Sequence, residues 1–204
     1  LMCAIVWLVC GSLLAQTTWF NPMEGDEPYI CGRAWNTEIG KSFARMPERF
    51  KATMPQSVWG LSRQSAGLMV RFRSNSPTIL VKYKIAREVG YKNMAPLCHG
   101  GVDLYGTDAN GNTHWIGNHM GWKYADTITV TFKEIKAPSF PHRGLEYQLY
   151  LPPYSETTSL QIGVDDGTDF VFLPQSPERP IVVYGSSIVQ GASPSRPGLM
   201  WTNI

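Results

Sequence analysis

Between Leu68 and Ile85 the chain alternates with a period of two: Leu68, Val70 and Phe72 take one side while Met69, Arg71 and Arg73 take the other. After a turn-forming stretch, Ile79, Val81, Tyr83 and Ile85 repeat the pattern with Lys82 and Lys84 outward. Side chains on a strand point alternately to opposite faces, so both segments predict half-buried β-strands. Further short apolar or alternating runs lie at 101–105, 114–117, 127–132, 146–151, 160–164 and 171–173, and Asp108-Ala109-Asn110-Gly111 predicts a turn between two of them. Many short strands with few helical stretches point to a mainly β chain, an antiparallel sandwich of jelly-roll-like form over residues 21–177. The outward arginines and lysines are then the watered face of a sheet.

The pattern changes near residue 178. Pro174-Gln175-Ser176-Pro177-Glu178-Arg179-Pro180 is proline-rich and reads as a linker. Beyond it the apolar run Ile181-Val182-Val183-Tyr184 empties into Gly185-Ser186-Ser187-Ile188-Val189-Gln190-Gly191. A strand, a glycine-bounded serine turn and the opening of a helix near Pro194 to Pro197 are expected, since proline suits the first helical position. Ser187 would then stand where a nucleophile is placed, at the end of a strand with helix-terminal N–H groups nearby; an ordinary serine-rich turn is the plainer alternative. The G-x-S-x-G elbow fits poorly, because Val189 occupies the place of the second glycine.

Composition narrows the function classes. The formal net charge is +2, and no run of Lys or Arg exceeds a pair, so no field recruits nucleic acid or an anionic membrane. Residues 2–14 are almost wholly apolar, too short to span a bilayer but suited to the core of a signal peptide ending near Ala15. Val9 before Cys10 disfavours a lipoprotein signal, so no stable membrane anchor is expected and the location implied is secreted or periplasmic. Of the four cysteines, Cys31 and Cys98 would remain after cleavage, either paired in an oxidising compartment or free and buried. His99, His114, His119 and His142 lack metal-ligand spacing, and no metal is expected. Cys98 and His99 suggest a thiol and its base, but as strand neighbours they would face opposite ways.

Gly185, Ser187, Ile188 and Gly191 resemble the first sequence block of the SGNH, or GDSL-type, hydrolases, with Ser186 standing where that block has aspartate. Gly101-Val102-Asp103-Leu104-Tyr105 is similar to the G-x-D-L-Y signature of a domain that precedes a subset of these esterases. Ser65-Ala66-Gly67-Leu68 leading into Val70 to Arg73 resembles another stretch of that domain, and Ser193 to Gly198 with Trp201-Thr202-Asn203 resembles the continuation of the first block. The likeness runs over residues 30 to 204. It implies an N-terminal β-sandwich followed, from residue 178, by the first strand-turn-helix of an α/β SGNH hydrolase domain. It also implies acyl-ester hydrolysis without a cofactor. Ser187 would be the nucleophile, with its backbone N–H in the oxyanion hole; Gly185, Ser186 and Gly191 would shape the turn.

In such an enzyme a histidine further along takes the serine proton, and an aspartate three residues before it fixes the ring. Neither partner is expected among residues 1–204, which would leave Ser187 without its relay and the fragment inactive. Export and the aromatics Trp35, Trp59, Trp115, Trp122, Tyr91 and Tyr124 suggest an acylated small molecule or glycan as substrate, although core packing explains each ring as simply. Asp103 and Arg196 are candidate cleft contacts, Asp103 with the alternative of accepting backbone N–H bonds. A carbohydrate-binding or scaffold sandwich without catalysis stays open as the other class.

Overall fold

The computed structural model describes residues 16–86, 90–119, 127–135, 145–179 and 181–203. Among the described residues nine strands and three short α-helices precede residue 174: β1 (Thr17–Phe20), α1 (Asn36–Ile39), α2 (Gln56–Ser62), β2 (Met69–Ser74), β3 (Ile79–Ile85), α3 (Pro96–Gly100), β4 (Val102–Thr107), β5 (Thr113–His119), β6 (Ile128–Phe132), β7 (Leu145–Tyr150), β8 (Thr157–Asp165) and β9 (Phe170–Leu173). They form two antiparallel sheets, of order β1-β8-β3-β6 and β5-β4-β7-β2-β9. The chain is mainly β, an antiparallel sandwich, as the alternation predicts.

The period-two pattern sets the core. On β3, Ile79, Val81 and Tyr83 are wholly buried, and in register they meet Phe132, Val130 and Ile128 of β6 and Val164, Ile162 and Leu160 of β8. The facing sheet contributes Val70 and Phe72 of β2, Val102 and Leu104 of β4, and Tyr147 and Leu149 of β7. Phe72 stacks on Tyr147 at 5.0 Å and on Phe170 at 5.3 Å. On the other face of this sheet Arg71 pairs with Glu146 across the strands, and Arg73 reaches the same carboxylate at 3.4 Å. Such cross-strand pairing adds a few tenths to about 1 kcal/mol and leaves both arginines structural.

Two features differ from expectation, and a third decides between two open alternatives. β1 belongs to the sheet although its four residues carry too short a pattern to read; Phe20 stacks on Phe170 at 4.1 Å, and Lys82 lies 3.8 Å over the Trp19 ring. Cys98 and His99 sit on α3, begun by Pro96, and not on a strand, so the opposite-faces reasoning does not apply to them. Cys31 and Cys98 are both free and buried, the first in a bridge to Met69 and the second on α3, so no disulfide ties these segments. The N-terminal apolar stretch, His142, Trp122 and Tyr124 lie outside the described residues. Among the described residues no helix is long and apolar enough to cross a membrane.

Candidate functional site

Residues 181–184 do not form the expected strand. They carry no regular secondary structure, with Ile181 94% exposed and Tyr184 71% exposed. A strand exists through its neighbours, and among the described residues no strand lies alongside this segment to supply ladder bonds. Val182, Val183 and Tyr184 instead line one side of an apolar cleft of about 280 Å³, with Trp35, Met46, Phe50 and Met54 opposite. The wall of that cleft is braced by Arg33, which is buried and bonds through Nε to Asn36 Oδ1 at 2.9 Å and through Nη1 to the carbonyl oxygens of Gly40 at 3.2 Å and Ser42 at 2.5 Å. With no carboxylate among these partners, burial dominates and lowers the guanidinium to about 10.

Gly185 opens the serine turn and is exposed, as are Ser186 and Ser187. The turn closes through backbone bonds. The Gln190 N–H donates to the Ser186 carbonyl at 3.0 Å, Gly191 to Ile188 at 3.1 Å, and Ala192 to Ser187 at 2.9 Å. It stays a single turn and does not propagate into a helix. The chain then leaves through Gly191 at φ +84°, a conformation that suits glycine. Near the expected helix start only a short 3-10 turn forms, Pro197–Leu199, with Pro197 at its first positions; a second spans Trp201–Asn203. No described imidazole forms a hydrogen bond with the Ser187 hydroxyl.

What holds the turn is the sandwich. Asp103 on β4 is fully buried, with its side chain aimed at the C-terminal segment. Its Oδ1 accepts the Trp115 indole N–H at 2.8 Å; Oδ2 accepts the Gly198 backbone N–H at 2.9 Å and lies 3.1 Å from Arg196 Nε. Arg196 also donates from Nη2 to the Tyr105 hydroxyl at 3.0 Å, and its guanidinium lies 4.7 Å over the Trp115 ring. Burial pushes the Asp103 carboxyl up, while the Gly198 N–H, Trp115 and Arg196 pull it back. Gly198 has room for hydrogen only. A Cβ there would strike Tyr105 Cε2 and come within 2.7 Å of the Tyr105 hydroxyl and 2.8 Å of Asp103 Oδ2.

Asp103 and Arg196 therefore face each other. Two more anchors lie nearer the turn. Gln190 Nε2 donates to Gln64 Oε1 at 3.0 Å and to the Pro153 carbonyl at 3.1 Å, and the Ser193 hydroxyl reaches the Asn93 carbonyl at 3.5 Å. Ser193 takes φ +63°, an uncommon conformation for a residue with a side chain. These contacts were not legible beforehand, because nothing in a glutamine or a lone glycine announces a partner a hundred residues away. The one available signal is the G-x-D-L-Y aspartate itself, an acid inside an apolar strand that must find donors.

The other candidates carry no catalytic arrangement. His99 is buried edge-to-face against Tyr91 at 5.2 Å, and His114 lies 3.2 Å from Asp108 in the β4–β5 turn. Burial raises both thiols, Cys98 to about 11. Of the aromatics expected in the sandwich, Trp35 packs on Phe50, while Trp115 is half exposed. Among the described residues no group of three or more His, Cys, Asp or Glu is placed to hold a metal.

Residues 17–170 match the family described as GxDLY, the N-terminus of SGNH-hydrolase-type esterases, and residues 178–204 match the GDSL-like lipase/acylhydrolase family. A Bacteroides ovatus protein ascribed to the GDSL-like lipases superposes with a TM-score of 0.74 at 31% identity, over 92% of this chain and 52% of its own. The salicylyl-acyltransferase SsfX3 of a tetracycline biosynthetic pathway shares the fold, with a TM-score of 0.56 at 16% identity, over 92% of this chain and 47% of its own. The chain thus spans about half the length of these two structures. No curated protein sequence matches it significantly. With its G-x-D-L-Y strand clasping the serine block that follows, itself a match to the GDSL-like lipase/acylhydrolase family, the chain belongs to the family of GxDLY domains at the N-terminus of SGNH-hydrolase-type esterases.

Proposed function

We propose that the chain supplies the sandwich and the nucleophile block of a serine esterase. The observation that carries this reading is Ser187, exposed at the head of a backbone-closed turn in the segment that matches the GDSL-like acylhydrolases. Ser187 Oγ attacks an ester carbonyl as an imidazole takes its proton; the tetrahedral oxygen gains charge and is met by N–H donors, the Ser187 amide among them. Collapse expels the alcohol, which recovers the proton, and water then releases the acid by the same steps. Gly185, Ser186 and Gly191 shape the turn. The histidine and aspartate of the relay come from the part of the enzyme that follows the serine block.

The substrate we favour is an acyl ester on a carbohydrate, met outside the cytoplasm. Support comes from the apolar stretch at residues 2–14 and from Trp115, half exposed beside the docked segment. The test is turnover of a chromogenic acetate ester by the protein translated through its full reading frame, beside the 204-residue chain. Turnover by the longer protein that Ser187→Ala removes supports the reading; turnover indifferent to that change defeats it. The half-exposed Trp115 favours one second reading, a sugar-binding sandwich. Glycan binding by the chain that Trp115→Ala abolishes, with no ester cleavage by the longer protein, would support it.

A further inference from the structure

We propose that Asp103 is a positioning residue for Ser187: the sandwich fixes the serine turn through a buried carboxylate that touches neither the serine nor its substrate. This rests on Ser187 being the nucleophile. The connection can be followed atom by atom. Asp103 Oδ2 accepts the Gly198 N–H at 2.9 Å and lies 3.1 Å from Arg196 Nε in an ion pair, which pins the 3-10 turn Pro197–Leu199 on β4. That turn delivers Met200 and Trp201. Met200 is buried, and its side-chain atoms stand 3.2–3.4 Å from where a Cβ on Gly191 would lie, so it closes off the base of the serine turn. The Trp201 indole N–H donates to the Val189 carbonyl at 3.0 Å, inside the turn. On the opposite flank Gln190 is held by Gln64 and Pro153. The serine turn is thus gripped from two sides by groups the sandwich supplies or orients.

A nucleophile displaced by about 1 Å loses on the order of a hundredfold in rate, so an enzyme gains from setting this turn on a rigid sheet and not on its own loop. Geometry suits the purpose. The two oxygens of the buried carboxylate serve different partners, Oδ1 the Trp115 indole N–H and Oδ2 the Gly198 N–H with the Arg196 guanidinium beside it. Trp115, through its own bond to Oδ1, keeps the carboxylate in the one rotation that serves both Gly198 and Arg196.

The test is amide hydrogen exchange, followed by NMR on the 204-residue chain, in Asp103→Asn, Arg196→Met and Gly198→Ala. The last two lie outside the sandwich core and answer the question even if Asp103→Asn does not fold. Exchange at Gly198 and also at Gln190, Gly191 and Ala192, the donors that close the serine turn, should rise about tenfold or more, while amides of β2 and β7 keep their rates. Arg196→Lys should restore part of the protection. Faster exchange at Gly198 with unchanged rates at 190–192 would overturn the proposal, as would no change anywhere. Because exchange does not depend on chemistry at Ser187, this outcome is separate from that of the esterase assay. In the longer protein the same variants should lower kcat with KM little changed; a change confined to KM would count against positioning.

Discussion

At the scale of single residues, the buried groups make the sharpest claims. Phe72 is fully buried between Tyr147 and Phe170, so Phe72→Ala should cost about 3–5 kcal/mol in denaturant unfolding. A loss under about 1 kcal/mol would mean the two sheets do not close on this ring. Cys98 has no exposed surface and its thiol stands at about 11 against an ordinary 9.0, raised by burial and lowered only in part by the Ser193 N–H. Neither Cys98 nor Cys31 should react with a thiol reagent at pH 8 until denaturant is added. The folded state keeps the Cys98 proton where the unfolded chain sheds it, so its contribution to stability is full below pH 9.0 and is lost as pH rises towards about 11. Thermal midpoints measured across that window should fall less steeply in Cys98→Ala than in the parent.

At the scale of elements, the exposed run at 181–184 separates two kinds of apolar segment. Substituting Ile181 and Tyr184 by serine should change unfolding free energy by less than about 0.5 kcal/mol while reducing binding of a hydrophobic dye. A loss of several kcal/mol would show that the segment is packed. The sandwich strands were legible because alternation is local: Val70, Phe72, Val81 and Tyr83 declare their face by spacing alone. Ile181 to Tyr184 carries as clear an apolar signal and forms no strand, since ladder bonds need a neighbour and composition cannot report one. α3 was missed for the opposite reason, its five residues being set by Pro96 and by packing of Cys98 and His99. The serine block was legible as a motif, and residues 178–204 match the GDSL-like family. Its seating on Asp103 was not, because Gly198 and Arg196 meet β4 only in the folded chain.

At the scale of the whole molecule, the sandwich and the serine block form one mechanical object. The buried carboxylate of Asp103 on β4 and the Gln64 and Pro153 partners of Gln190 make the sandwich a seat for the turn. Domain and nucleophile should therefore not be separable by a flexible spacer. Inserting Gly-Ser residues after Gly191 should weaken the grip on the turn and lower activity of the longer protein even though the sandwich stays folded. Equal activity with the insertion would reduce the sandwich to a passenger.

The central claim is that Ser187 is the nucleophile. The most direct measurement is covalent labelling of the protein translated through its full reading frame with a fluorophosphonate, the adduct being located by peptide mass mapping. A single adduct on the peptide carrying Ser187, absent in Ser187→Ala together with ester turnover, is the expected result. An adduct on another residue, or ester turnover that persists in Ser187→Ala, would contradict it.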